Sequence, residues 1–72
     1  MELLNRITIE PGKRGGRPCI RGIRITVTDV LELLSKGVST EQVLKQMPDL
    51  EPDDIRACLA YAADRERHTR IA

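Results

Sequence analysis

Cysteine and histidine are almost missing from this chain: its 72 residues include two cysteines, Cys19 and Cys58, and one histidine, His68. No Cys-x-x-Cys and no Cys/His cluster occurs, so a zinc site has too few ligands. A Cys19–Cys58 disulfide is allowed on paper, but a small reduced thiol in an apolar run is the expectation for each. Long hydrophobic runs are lacking too. The opening Met1-Glu2-Leu3-Leu4-Asn5-Arg6 has no apolar stretch of signal-peptide length, and nothing approaches the roughly 20 apolar residues of a membrane span. The expectation is a cytoplasmic protein without a membrane partner. No nucleophile, base and orienting group come together, because His68 lies in a charged terminal stretch with no Ser or Cys nearby. Gly12-Lys13-Arg14-Gly15-Gly16 lacks the G-x-x-x-x-G-K-[ST] order of a phosphate loop, and no helix follows it directly. No enzyme, cofactor, metal or small-molecule substrate is therefore expected.

What is present is short and unevenly charged. A chain of this length is one domain, 1–72, and buries only about 60% of the surface its unfolded form exposes. Without disulfide or metal, a partner surface is the expected source of extra stability. Net charge is only +1, but its distribution is informative. Residues 13–24 carry Lys13, Arg14, Arg17, Arg21 and Arg24 and no acid. Residues 29–54 carry seven acids against Lys36 and Lys45. That asymmetry suits a protein with two different partners.

Arg6-Ile7-Thr8-Ile9 alternates and is β-branched, which reads as a short strand ended by Pro11 and Gly12. Cys19-Ile20, Arg21-Gly22 and Ile23-Arg24-Ile25 read as extended, turn, extended, with Arg24 on the face opposite its two isoleucines. Thr26 with Asp29, or Thr28 alone, can cap a first helix whose period is Val27, Val30, Leu31 and Leu34. Gly37 suits its left-handed C-terminus. Ser39 with Gln42 opens a second helix with Val43, Leu44 and Met47 inward, and Pro48 stops it. Glu51-Pro52-Asp53-Asp54 opens a third, with proline at the first position and acids at the positive end of the dipole. Its inward stripe is taken as Ile55, Leu59 and Ala62. The fold class expected is mainly α: a three-helix core over 26–68 with a helix-turn-helix-length link between the second and third helices, preceded by two or three short β-strands over 6–25 and followed by a tail at 69–72.

The run Gly16-Arg17-Pro18-Cys19-Ile20-Arg21-Gly22-Ile23-Arg24-Ile25 resembles the signature of the domain of unknown function 433 family, roughly G-[KR]-P-[CV]-I-R-G-T-R-I-P-V. Asp29-Val30-Leu31-Glu32-Leu33-Leu34-Ser35-Lys36-Gly37 is similar to that family's first helix. Pro48-Asp49-Leu50, then Asp54-Ile55-Arg56-Ala57-Cys58-Leu59-Ala60-Tyr61-Ala62-Ala63, is similar to its ending. Together these cover about 7–63. The resemblance implies a winged or homeodomain-like helix-turn-helix fold and a VapB-like antitoxin, often encoded beside a PIN-like ribonuclease toxin. It departs from the pattern at Ile23, Thr26, Thr28 and Glu51, where threonine, proline, an aromatic and Thr or Ser are usual. Those changes bear on the surface a partner reads more than on the fold.

The expected function is a DNA-binding antitoxin and autorepressor of a type II toxin–antitoxin pair, acting as a homodimer on its own operator. The alternative is a protein-interaction or dimerisation module without DNA binding. Candidate DNA contacts are Lys13, Arg14, Arg17, Arg21 and Arg24, an electrostatic footprint for phosphates, with Arg56 added by analogy to a recognition helix. The plainer reading of the five is a solvated loop; that of Arg56 is an intrahelical pair with Asp53. Asp49 to Asp54, or the tail, is the candidate toxin contact. The candidate dimer interface is Ile7 and Ile9 on a strand short of partners, with Ala57, Ala60 and Tyr61 on a small-sided third helix.

Overall fold

The computed structural model describes residues 2–68; the expected tail at 69–72 lies outside the described residues. A 3-10 helix, Glu2–Arg6, leads into strand β1, Ile7–Thr8. After a 3-10 turn at Arg14–Gly16 comes β2, Cys19–Ile20, and then helices α1 (Val27–Ser35), α2 (Thr40–Gln46) and α3 (Pro52–His68). The fold is mainly helical, with three α-helices and one small antiparallel sheet among the described residues.

The helix ends fall where local chemistry puts them. Thr26 and Asp29 form a reciprocal capping box on α1, each side chain accepting from the other's N–H at 3.0 Å. Gly37, at φ 87°, closes the helix by donating to Leu34 O at 3.0 Å while Val38 donates to Leu33 O at 3.1 Å, the double bond of a left-handed terminus. Ser39 accepts from Gln42 N–H at the start of α2. Pro52 is the first residue of α3.

Two β expectations need correction. β1 is shorter than Arg6–Ile9, and it is not short of partners: Ile7 pairs with Ile20 and Thr8 with Cys19 inside the same chain. Ile7 is half-buried and packs against the core, so it is not a free edge for a second subunit. The Ile23–Ile25 stretch forms no named strand; it folds back so that Ile20 N–H donates to Ile25 O at 3.0 Å, with an isolated bridge from Cys19 to Thr26.

The core gathers Ile20 from β2, Val27 and Val30 from α1, Val43 from α2, Leu50, and Ile55 and Cys58 from α3. Each fully buried aliphatic contributes roughly 1.5–3 kcal/mol of transfer free energy. On α3 the inward residues are Asp54, Ile55, Ala57 and Cys58, not the Ile55, Leu59, Ala62 stripe: Leu59 is 49% exposed. Ala57 is 0% exposed, so it belongs to this chain's own interior and is corrected as a dimer contact. The N-terminal 3-10 helix packs along α3, an element with no counterpart in the sequence reading. Cys19 and Cys58 are buried free thiols.

Candidate functional site

The residues of the basic segment diverge in role once folded. Arg21 and Gly22 turn the chain between Ile20 and Ile23, whose N–H donates back to Ile20 O at 2.8 Å. Both turn residues have positive φ, 45° and 72°, as a tight primed turn requires. An arginine there costs backbone energy that Asn or Gly would avoid. Its side chain offsets this by reaching α3. Arg21 Nε donates to Asp54 Oδ1 at 3.0 Å, Nη2 to Asp54 Oδ2 at 2.9 Å, and Nη2 to Asp49 O at 2.7 Å.

Asp54 is the centre of that cluster and is 0% exposed. Arg6 Nη1 also donates to it, at 2.9 Å, and to Glu51 Oε1 at 2.8 Å, while Arg6 Nη2 lies 3.9 Å from Asp53 Oδ2. Glu51 N–H donates to Asp54 Oδ2 at 2.7 Å, which caps the first turn of α3. Burial pushes the Asp54 carboxyl up, but bonds from Arg21, the Glu51 N–H and Arg6 outweigh it and hold it below its ordinary value. Both guanidiniums are correspondingly held in the charged form, Arg6 chiefly by Glu51 and Arg21 by Asp54. The hairpin, the N-terminal segment and the start of α3 are thus tied at one carboxylate.

Arg21 is therefore a structural residue, which corrects its place among phosphate contacts. Lys13 is also drawn inward, donating to Gly22 O and lying 3.4 Å from Glu10 Oε2. Arg14 Nη1 donates to Arg24 O at 2.6 Å and to Asp29 Oδ2 at 3.3 Å, setting the Arg14 turn against the Arg24 backbone. Arg17 and Arg24 are exposed, and among the described residues neither side chain has an ion pair. Arg56 is 68% exposed and pairs with Asp53 at 3.4 Å along its own helix, the plainer of its two readings. The acidic stretch is equally committed: Asp54 is buried, and Glu51 and Asp53 face Arg6, leaving Asp49 as its exposed acid with no ion pair among the described residues.

Of the proposed dimer residues, Ile9 is 60% exposed. Ala60 and Tyr61 are half-buried, and Arg65 stacks over the Tyr61 ring at 5.9 Å. A groove of about 350 Å³ runs between α1 and the second half of α3, floored by Val27, Leu31, Tyr61 and Ala62. No group of three His, Cys, Asp or Glu among the described residues could hold a metal ion. No helix among them is long and apolar enough to cross a membrane.

Sequence reasoning missed Arg6 altogether and saw Asp54 only as a charge at a helix start. The one local signal was Asp54 at the third position after Glu51, the spacing of a capping carboxylate.

The family described as "Protein of unknown function (DUF433)" matches over residues 7–62. "Uncharacterized protein y4eO" of Sinorhizobium fredii is 38% identical over 56 residues, which are 78% of this chain and 25% of that protein. The chain thus spans about a quarter of that curated relative. A crystal structure of a DUF433 member from Anabaena variabilis, 30% identical, matches with a TM-score of 0.82 over 93% of this chain and 66% of that one. Matched by the family over most of its length, and by a solved member in fold, the chain belongs to the DUF433 family.

Proposed function

We propose that this chain is the DNA-binding antitoxin of a type II toxin–antitoxin pair, a non-enzymatic cytoplasmic repressor of its own operator that acts as a homodimer and neutralises a PIN-like ribonuclease. The order α2, a turn at 47–51, then α3 supports the helix-turn-helix part of this reading. The observation that carries the reading is the contrast within the basic segment. Lys13, Arg14 and Arg21 each face a carboxylate, whereas Arg17 and Arg24 are exposed with no ion pair among the described residues. These two guanidiniums are the ones available to phosphates, and the Asp54 tie holds the hairpin that carries Arg24 rigidly against the helices.

The test is a gel shift with DNA from upstream of the gene. Replacing Arg17 and Arg24 by Ala should weaken binding across all sequences and lower the salt slope by about two, one per lost phosphate contact. Unchanged affinity would sink the DNA reading. Arg21→Ala is unsuitable for this purpose, since it removes a partner of a buried carboxylate. A second reading, an interaction module without DNA affinity, is favoured by the same internal pairing of three of the five bases. Binding that is absent at low salt would select it. Co-expression with the product of an adjacent PIN-like reading frame tests the antitoxin role.

A further inference from the structure

Resting on the homodimer in that reading, we propose that α3 pairs antiparallel with α3 of a second copy through the stripe Asp53, Arg56, Ala60, Ala63 and Arg67, with Ala60 at the two-fold axis. The spacing of these residues, three and four alternately, forms one face of a helix. That face lies on the other side of α3 from the inward Ile55 and Cys58, with Ala63 exposed and Ala60 half-buried at its middle. Its ends are open: Arg56 is 68% and Arg67 is 70% exposed. Beside the middle lies Leu59, one of the two exposed large apolar side chains among the described residues. Small residues at the centre let two helix axes approach to the short end of the usual 8–10 Å range.

The charges choose the occupant. In the antiparallel arrangement centred on Ala60, Asp53 comes level with Arg67 of the second copy, and Arg56 with Asp64. The symmetry makes each pair twice. In the single chain Arg56 already lies 3.4 Å from Asp53, and Arg67 lies 3.1 Å from Asp64. Pairing therefore brings two ready-made ion pairs together, acid to base, at each end of the seam. Arg6, 3.9 Å from Asp53 on the same chain, stays at the edge of that cluster. Alternatives are penalised. Sliding the second helix by three residues one way sets Asp53 against Asp64; sliding it the other way sets Arg56 against Arg67. A parallel pair sets every charge against its own copy. Like charges across an interface exclude wrong registers more strongly than exposed opposite charges add affinity. The apolar contact comes from Ala60, Ala63 and two copies of Leu59 flanking the axis.

The seam is about 21 Å long at 1.5 Å per residue. A single helix pair of that length covers less than the roughly 1,600 Å² of a standard interface, so the dimer is one that dissociates in the micromolar range.

Sedimentation velocity without DNA, at tens of micromolar protein, tests the register. The wild type should sediment as a dimer. Asp53→Arg alone and Arg67→Asp alone should each shift it to monomer, and the double variant D53R/R67D should return it to dimer. Arg56→Asp and Asp64→Arg, singly and together, repeat the test should Asp53→Arg impair folding, with circular dichroism confirming helix content. A wild-type monomer, single variants that stay dimeric, or folded double variants that stay monomeric would overturn the pairing. Because no DNA is present, this outcome is independent of the gel shift on Arg17 and Arg24.

Discussion

Asp54 shows how far a residue's role can lie from its local context. A carboxylate with no exposure would be costly without partners, and here it has two guanidiniums and a backbone N–H. Removing one member of a buried ion pair commonly costs 3–5 kcal/mol. Arg6 and Arg21 keep 28% and 35% of their side-chain surface in water, which lowers that figure. Asp54→Asn should destabilise the fold by about 2–3 kcal/mol, including the lost cap, read as a lower urea midpoint. The pH dependence has a definite sign. Asp54 and Asp29 both sit below their ordinary value of 3.8. For Asp29, burial pushes up while Thr26 and Arg14 pull down further. A carboxyl depressed on folding stabilises fully above its unfolded value and loses that contribution as pH falls through the folded one. The urea midpoint should therefore fall from pH 5 towards pH 2, and less steeply in Asp54→Asn; equal slopes would contradict this account. Beyond the Glu51–Asp54 spacing the network was not legible in the sequence, because Arg21 and Arg6 stand 33 and 48 positions from Asp54. Charge clustering assigned Arg21 to phosphates and local position assigned Asp54 to the helix dipole, since both rules are blind to what a hairpin brings across the chain.

Elements with their own punctuation were legible. The Thr26 and Asp29 box, the Ser39 cap and Gly37 each fix a helix end through bonds spanning three to five residues, and Pro52 marks the start of α3 by its fixed φ, so local sequence reveals them. Thr26→Val keeps the shape of this buried side chain and removes its acceptor. It should cost about 1 kcal/mol, with Ser39→Ala, at an exposed cap, costing no more; thermal unfolding of the two variants side by side decides it. The Glu2–Arg6 3-10 helix was not legible, because five residues carry too little period to show one. It is held by packing on α3 and by Arg6. That same packing explains the misread inward face of α3. Periodicity was read with Ile55, Leu59 and Ala62 inward, whereas Ala57 and Cys58 are the buried residues and Leu59 is exposed. The 3-10 helix lies against α3, and Ala57 is fully buried.

At the scale of the molecule, the short chain led to the expectation of a partner surface, sought on Ile7, Ile9, Ala57, Ala60 and Tyr61. Ile7 and Ala57 are used internally; the outward stripe of α3 is what remains. If that stripe joins two copies, folding and association are linked, and the native state gains stability from its own concentration. The melting temperature of the wild type should then rise with protein concentration across the micromolar range. It should be independent of concentration in Arg67→Asp, whose substitution lies at an exposed position near the end of α3. The buried thiols offer a second readout of the same event. Burial, with the nearby charge of Asp54, pushes the Cys58 thiol up to about 12, and reaction with an alkylating reagent requires exposed thiolate. At neutral pH Cys58 should react through opening of the fold, so its labelling rate should fall as wild-type concentration rises and stay constant in Arg67→Asp. A wild-type melting temperature and labelling rate that both ignore concentration would mean that the single chain carries all of its own stability.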